Sequence, residues 1–152
     1  MMSVAPVASA GEAAGYYSNS DNYYFLGSLQ SLWMGEGAKE LGLEGNVRGD
    51  DLTAVLEGRL PDGSRLGKEV NGQHVHRPGH DLTFSAPKSV SILALIGNDK
   101  EMVEAHNHAV RVAAGYVEKL ISARDTKDGV TSIVHTGKMV AAAYTHDTSR
   151  NL

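Results

Sequence analysis

The sequence HRPGHDLTFSAPKSVS, running from His76 to Ser91, contains the clearest junction between a strand and a helix in this chain. Residues 81–84 alternate between polar and apolar side chains, as a half-buried strand does. The Ser85 hydroxyl can cap a helix and Pro87 suits its first turn, so we expect a buried helix over the apolar residues from Val90 to Ile96. Together with its neighbours, this junction indicates an α/β (α+β) fold, in which helices pack on an antiparallel sheet.

The start of this helix is also a place where a phosphate can bind. Lys88, Ser89 and the unbonded backbone N–H groups of a first helical turn together suit an anion. An ordinary connection between a strand and a helix explains the same residues equally well. Asp81 also has two interpretations, since its carboxylate either reaches into a site or merely ends the strand.

Capping and turn residues predict the elements before this junction. Residues 3–7 are expected to form an edge strand, because a proline at position 6 cannot donate a hydrogen bond to a neighbouring strand. Ser9 and Glu12 form a capping box, which predicts the start of a helix. Tyr16 and Tyr17 then lie in its last turn, about 100° apart around the helix axis.

The pattern between residues 25 and 79 is less regular. Apolar residues from Phe25 to Trp33 fit a helical stripe, and a further helical turn is expected to end at Gly42. Asp50 can cap a short helix over residues 52–56. The polar segment from Lys68 to Gly79 is predicted to be an irregular, mobile loop.

The last third of the chain is predicted to contain one long helix followed by two strands. The run from Asn98 to Glu101 resembles a capping box, and the helix it starts is expected to continue to about Ser122. Residues 125–129 are predicted to form a turn, and strands are expected over 131–135 and 138–145. The apolar stripe of the helix comprises Met102, Ala105, Ala109, Val112, Ala113, Tyr116 and Leu120.

The composition is that of one ordinary globular domain. The chain has 152 residues, of which 41% are hydrophobic and 21% are charged. No apolar run approaches the roughly 18 residues of a membrane-spanning helix, and the sequence predicts neither a membrane segment nor a secretory signal. The lack of cysteine excludes disulfides and thiolate metal sites and suits the cytoplasm. The net charge of −4 argues against a nonspecific coat of nucleic acid, although a local basic groove remains compatible with it.

Tyrosines are concentrated near the N-terminus, where Tyr16, Tyr17, Tyr23 and Tyr24 account for four of the six in the chain. In one interpretation they are two amphipathic pairs on either side of a turn, with rings packed inward and hydroxyls in water. In the other, one hydroxyl is a nucleophile, because an activated phenol can form a covalent intermediate. The tyrosines themselves do not decide between these interpretations.

Three groups of residues together resemble the N-terminal part of conjugative relaxases, in particular the TrwC-like relaxase domain of F-type plasmid relaxase-helicases. They are the four tyrosines, the run from Arg77 to Ser91, and the sequence from His146 to Arg150. The resemblance covers essentially the whole chain. It implies a partial palm-like relaxase domain and a single-stranded DNA transesterase, which nicks a plasmid transfer origin through a 5′-phosphotyrosine and so initiates conjugation.

The resemblance also assigns roles to individual residues. The first tyrosine of the family's quartet is the main nucleophile, which corresponds to Tyr16. Tyr17, Tyr23 or Tyr24 would serve a second transfer or support the first. The aspartate before the strand, Asp81, would lie near the nucleophile and the metal ligands.

A divalent ion, Mg²⁺ or Mn²⁺, is a further implication of the resemblance. The family binds it through three histidines, of which His146 matches the first. The other two form a His-X-His pair downstream, and this chain ends before that pair, so we expect residues 1–152 to be the N-terminal part of a relaxase domain. His106 and His108 have the same spacing, but they fall on the predicted long helix, where residues two apart diverge, and are therefore interpreted as surface residues.

The expected partners are single-stranded DNA at a transfer origin and the proteins of a relaxosome. Arg77, Lys88 and Arg150 are candidate phosphate contacts, and each is equally compatible with a solvated surface charge. A strand ending at His146 is expected to leave an exposed sheet edge through which the chain associates. The rival interpretations are a non-catalytic fragment that binds single-stranded DNA at the origin, and a structural domain with tyrosines in its core.

Overall fold

The computed structural model describes residues 1–17 and 31–146, which form a mixed α/β structure. The helices are α1 (Ala10–Tyr17), α2 (Glu36–Glu40), α3 (Gly49–Leu56), α4 (Lys88–Ser91), which continues into a π-helical turn (Ile92–Ile96), and α5 (Lys100–Glu118). The strands are β1 (Met2–Pro6), β2 (Leu32–Met34), β3 (Lys68–Val70), β4 (Gln73–Val75), β5 (His80–Phe84), β6 (Ser122–Lys127), β7 (Val130–His135) and β8 (Ala141–Ala143).

Within the described ranges the strands form four antiparallel pairs, β1 with β5, β2 with β8, β3 with β4, and β6 with β7. The predicted α/β class and its antiparallel strands are therefore present. A single sheet was predicted, whereas the described strands form these separate pairs. Only β3–β4 and β6–β7 join strands that are adjacent in the chain.

The pairing of β1 with β5 connects the N-terminus to the strand-to-helix junction. Ala5 lies opposite Asp81, and the Val7 N–H donates to the Gly79 carbonyl at 2.9 Å. At the other end, the Ser85 N–H donates to the Met1 carbonyl at 2.8 Å. Both strands were predicted from their residues, and each supplies the partner that the other needs.

Helix α1 begins as its capping residues predict. The Ser9 Oγ accepts a hydrogen bond from the Glu12 N–H at 3.2 Å, so the serine caps the first turn. The backbone of Tyr16 and Tyr17 forms the end of the helix, and α1 packs against α3. Because α1 follows β1 directly, the β1–β5 pair sets where the tyrosine-bearing turn lies.

The predicted helix over residues 25–33 is wrong in the part that the structure describes. Residues 32–34 form strand β2, which pairs with β8, with Trp33 opposite Ala142. The rest of that prediction lies in residues 18–30, outside the described residues. A strand that forms only by pairing with a distant segment has no local signal to distinguish it from a helical stripe.

The predicted mobile loop from Lys68 to Gly79 is also wrong, because most of it forms the β3–β4 hairpin. Asn71 and Gly72, the residues of the turn, have φ values of 51° and 76°. Positive φ at both central positions is the condition for a type I′ turn, and Asn-Gly is its preferred sequence. The Asn-Gly dipeptide is therefore the feature of the sequence that indicates this hairpin.

The buried apolar side chains of the described ranges are few: Ala38, Leu43, Leu52 and Ala114. The helix after Pro87 was predicted to be buried, but Ile92, Leu93 and Ile96 are exposed, Ile96 by 82%. This part of the prediction is wrong because periodicity shows which residues share a face, and not whether that face is covered.

Helix α5 starts as predicted and ends earlier than predicted. The Asp99 carboxylate accepts hydrogen bonds from the N–H groups of Glu101 and Met102, so it is the N-cap. The helix stops at Glu118, because Ser122 already begins β6. The turn predicted at 125–129 shrinks to its Asp128-Gly129 end, since residues 125–127 pair with β7.

The carboxylate of Glu118, at the end of α5, joins three parts of the fold. Its Oε2 accepts a hydrogen bond from the Glu36 N–H at 2.8 Å and another from the Met139 N–H at 2.9 Å. Gly35, with φ of 101°, lies so close that an added Cβ would be 2.1 Å from the Met139 carbonyl oxygen. Glu118 therefore anchors the start of α2 and the segment leading into β8 to the long helix.

We expect Glu118→Ala to lower the free energy of unfolding by about 1–3 kcal/mol, because two backbone N–H groups lose a charged acceptor. Denaturant unfolding followed by circular dichroism measures this. Glu118→Gln is the matched control, since it keeps the shape and one acceptor oxygen, and it should lose less stability than the alanine variant. Equal stability of Glu118→Ala and the parent chain would show that the two hydrogen bonds contribute nothing.

Candidate functional site

The structure describes part of the predicted tyrosine site. The backbone of Tyr16 and Tyr17 lies in the last turn of α1, as predicted. Tyr23 and Tyr24 lie in residues 18–30, outside the described residues, and so does Arg150 at the C-terminus. The structure therefore contains the predicted helix that bears Tyr16. The position of Tyr23 and Tyr24 stays a prediction.

Asp81 lies on β5, the strand that pairs with the one preceding the tyrosine helix. Its side chain is half-buried, and its Oδ1 accepts a hydrogen bond from the Thr83 hydroxyl at 3.3 Å. Because residues two apart on a strand share a face, Thr83 orients the carboxylate along that face. His80 is adjacent to Asp81 on the strand and so projects to the opposite face.

His146 follows strand β8 and is held near helix α5. Both of its ring nitrogens are shielded from solvent. The hydroxyl of the preceding residue, Thr145, donates a hydrogen bond to Asn107 Oδ1 at 3.4 Å. Asn107 belongs to the N-terminal half of α5, so that part of the helix fixes the segment that carries the histidine.

The same part of α5 lies close enough to the N-terminus of the chain for its charge to act on His106. Burial lowers the pKa of the His106 imidazole, and the positive charge of the N-terminal ammonium adds to that effect. That ammonium donates to the Ser85 carbonyl at 3.0 Å. His106 was interpreted as a surface residue and is half-buried, whereas His108 is exposed as predicted.

Tyr144 is a residue that the sequence interpretation did not single out. Burial raises the pKa of its hydroxyl to about 12. Its hydroxyl, two residues before His146, therefore stays protonated above the pH at which an ordinary tyrosine ionises. The apolar run Val140 to Ala143 was the available sign that this segment enters the interior.

The candidate phosphate contacts are exposed where the structure describes them. Arg77 lies between β4 and β5, and Lys88 is the first residue of α4. No side chain caps that helix. The phosphate interpretation of this turn stays a prediction, since an exposed lysine is equally compatible with a solvated charge.

A cleft lined in part by histidine and arginine side chains lies near the start of α1. It is a cleft of about 410 Å³, in which imidazoles bond to backbone carbonyls: His74 Nε2 to Leu66 at 2.6 Å and His76 Nδ1 to Leu56 at 3.0 Å. The cleft is lined by Ala8, Ser9, Ala10, Leu56, Glu57, Arg59, Arg65, His74, His76 and Pro78.

The family resemblance implies a metal site that includes His146. Within residues 1–17 and 31–146, no three histidine, cysteine, aspartate or glutamate side chains lie close enough together to hold an ion. In that part of the chain, His146 does not belong to a group of three possible metal ligands. The described residues therefore do not by themselves form a complete metal centre.

We accordingly expect this chain to bind Mn²⁺ weakly, because one imidazole rarely holds a hard divalent ion that prefers oxygen ligands. Titration calorimetry of the chain with Mn²⁺ measures this, with His146→Ala as the control. Micromolar binding that His146→Ala abolishes would show that other residues of the chain complete the site.

The chain is similar to relaxases over nearly its whole length. The family model described as TrwC relaxase matches residues 10–152. The multifunctional conjugation protein TraI of Escherichia coli K12 is 54% identical over 151 residues, which are 99% of this chain and 9% of TraI. The chain thus spans about a tenth of the length of that curated relative.

Solved structures of relaxases are also similar to this chain over nearly its whole length. TrwC in complex with a 27-mer DNA comprising the recognition hairpin and the cleavage site matches with a TM-score of 0.79 and 36% identity, over 99% of this chain and 50% of that one. TrwC with OriT DNA in a metal-bound structure matches with a TM-score of 0.81 and 38% identity, over 98% and 52%.

The antiparallel strand pair and the helix that ends in adjacent tyrosines belong to a fold that is similar to solved relaxases. The chain belongs to the TrwC relaxase family. In the residues that the structure describes, no helix is long and apolar enough to cross a bilayer.

Proposed function

We propose that this chain supplies part of the active site of an enzyme that nicks one DNA strand at a plasmid transfer origin. A tyrosine attacks the scissile phosphodiester, which leaves a 5′-phosphotyrosine and a free 3′-hydroxyl and initiates conjugative transfer. The observation that carries the proposal is the match of residues 10–152 to the TrwC relaxase family. The likeness to a relaxase solved with a DNA cleavage site supports it.

The reaction exchanges one phosphodiester for another and needs no co-reactant. A bond forms between the tyrosine oxygen and phosphorus while the bond between phosphorus and the 3′ oxygen breaks. The phenol loses a proton and the departing 3′ oxygen gains one, so the step is reversible. Such a reaction depends chiefly on in-line positioning and on stabilising the charge of the phosphate.

Tyr16 is the proposed nucleophile, and Tyr17, Tyr23 or Tyr24 serves the second transfer. A phenol with a pKa of about 10 needs help to lose its proton at neutral pH. Asp81 is the proposed source of that help, because its strand pairs with the strand that leads into the tyrosine helix. Its carboxylate would accept the proton or orient the group that does.

Phosphate contacts are assigned to Arg77, Lys88 and Arg150. Arg77 and Lys88 are exposed, as a residue that meets DNA must be. The proposed partners are single-stranded DNA at the origin and the proteins of the relaxosome. The proposed location is the cytoplasm.

The metal is proposed to be Mg²⁺ or Mn²⁺, with His146 as one of its ligands. The support is the likeness to a relaxase solved in a metal-bound form. When bound, such an ion polarises a phosphate oxygen. Since the described residues form no complete site, we propose that residues 1–152 are the N-terminal part of the domain and that a downstream His-X-His pair supplies the other ligands.

A second candidate function is a fragment that binds single-stranded DNA at the origin without cleaving it. The observation that favours it is the lack of three clustered ligands among residues 1–17 and 31–146. Binding would then use the exposed basic residues alone, and its affinity would fall steeply with salt.

Both candidates are tested with single-stranded oligonucleotides tiled across the replicon that encodes the chain, with and without Mn²⁺. A protein–DNA adduct that survives denaturation and forms with one oligonucleotide only supports the nicking enzyme. Specific binding without an adduct supports the binding fragment. Failure to bind any oligonucleotide at low salt would contradict both and favour a structural domain.

A further inference from the structure

Helix α5 packs on the rest of the chain through one face, which we call its inner face. One alanine on this face is buried, and three valines beside it are half-buried. Each residue advances by about 100°, so these four side chains lie within about 60° of arc. They are Val103, Val110, Ala114 and Val117. The stripe predicted from the sequence is a different face, since its members Val112, Tyr116 and Leu120 are exposed.

Two polar side chains lie at the edge of the inner face, and both bond to the segment that contains strand β8. The Glu118 Oε2 accepts a hydrogen bond from the Met139 N–H at 2.9 Å. The Asn107 Oδ1 accepts one from the Thr145 hydroxyl at 3.4 Å. Glu118 follows Asn107 by eleven residues, about three helical turns, so both side chains project from the same side of α5.

The lengths of the two bonded segments match. At about 1.5 Å per residue, about 16 Å of helix separate Asn107 from Glu118. The segment from Met139 to Thr145 extends over at most about 20 Å as a strand. This segment therefore runs antiparallel to α5 and is bonded to it at both ends, with β8 between the two contacts. His146 directly follows the second contact.

Asn107 is a polar residue among apolar neighbours on the inner face. Val103, Val110 and Ala114 surround its position, where an apolar side chain would bury more apolar surface. An amide that loses water there needs a hydrogen-bond partner, and Thr145 is that partner. In coiled coils, a single asparagine on the packing face fixes register at a cost in stability. Asn107 selects one register of the β8 segment along α5 in the same way.

We propose that Asn107 is a positioning residue for His146. By holding Thr145, it fixes the backbone from which the imidazole projects, and with it the direction of the two ring nitrogens. Those nitrogens are shielded from solvent, so a shift of the backbone changes what they contact. The task of His146 as a ligand rests on the proposed function, whereas its position is a property of this chain.

The position of His146 is measured by nuclear magnetic resonance of this chain, with the imidazole signals assigned by His146→Gln. Asn107→Ala should split or broaden these signals, as occurs when a ring samples several orientations. Asn107→Asp should keep single sharp signals, because it retains the acceptor oxygen. His108→Ala is the matched control, since His108 is the next residue of α5 but is exposed, and it should leave the His146 signals unchanged.

The role of Thr145 is tested by a double-mutant cycle. Thr145→Val removes the hydroxyl with little change in shape, so it should broaden the His146 signals as Asn107→Ala does. The combined variant should be no worse than either single variant, because both remove the same hydrogen bond. If Asn107→Ala does not fold, Thr145→Val decides the question. Sharp, unshifted His146 signals in folded Thr145→Val, or equal broadening in His108→Ala, would overturn the proposal.

The consequence for the reaction is measured in a protein extended through the downstream His-X-His pair. Asn107→Ala should slow single-turnover cleavage about tenfold with oligonucleotide affinity unchanged, since groups that orient a ligand histidine typically contribute roughly 10- to 100-fold. Asn107→Asp should recover most of the rate. Cleavage by Asn107→Ala at the parent rate would contradict the positioning role. An extended parent protein that cleaves no oligonucleotide would contradict the proposed function instead, and the resonance signals would still decide how His146 is held.

Discussion

Tyr16→Phe is expected to abolish covalent attachment of the protein to DNA while single-stranded DNA binding remains. The substitution removes the hydroxyl oxygen that would bond to phosphorus and keeps the ring with its packing and any stacking on bases. The loss should reach several orders of magnitude. We expect this result in a protein extended through the His-X-His pair that the family resemblance implies.

The measurement is mass spectrometry of the adduct formed with an oligonucleotide that carries the nick site. The modified peptide should be centred on Tyr16. Tyr17→Phe is the matched control, because the two residues are adjacent on α1 but about 100° apart around its axis, so both phenols cannot reach one phosphate. A modified peptide centred on Tyr23 or Tyr24, with Tyr16→Phe fully active, would overturn the assignment.

Asp81→Asn is expected to slow cleavage by roughly 10²–10⁴-fold without abolishing it, as is typical when acid–base assistance is lost. Asparagine keeps the shape of the side chain but cannot accept a proton, while the β1–β5 pairing that holds it is made by the backbone. Single-turnover cleavage and oligonucleotide affinity, measured separately, distinguish slower chemistry from weaker binding.

Thr83→Val is the control for the Asp81 variant. It removes the hydroxyl that donates to Asp81 at 3.3 Å and leaves the carboxylate in place. If the charge of Asp81 matters, Thr83→Val should slow cleavage far less than Asp81→Asn. Full activity of Asp81→Asn would contradict a role for this carboxylate in proton transfer or orientation.

Some elements whose signals are local were predicted correctly from the sequence, while the caps predicted at Asp50 and Ser85 are wrong, since no side chain caps α3 or α4. The Ser9 and Asp99 caps start α1 and α5 where the sequence predicts, because a capping hydrogen bond spans only two or three residues. The alternating strand after Pro78 is β5. The Asn71-Gly72 dipeptide is an equally local signal, and it indicates the β3–β4 hairpin.

Some residues of the candidate site were identified from the sequence, and others only from the structure. The tyrosines and Asp81 were identified through their resemblance to a family, while Tyr144 and the cleft around His74 became visible only in the structure. Their properties depend on burial by segments far away in the chain. A phenol has an ordinary pKa until a neighbouring element excludes water from it.

The sequence by itself determined where α1 and α5 begin, which residues share a face, and to which family the chain is similar, because capping, periodicity and motif spacing are properties of short segments. Only the tertiary structure decided that residues 32–34 are a strand paired with β8, and that the stripe at Val112, Tyr116 and Leu120 faces outward. The physical reason is the same in both cases. Strand pairing and burial are contacts between distant segments, and their free energy overrides local preference.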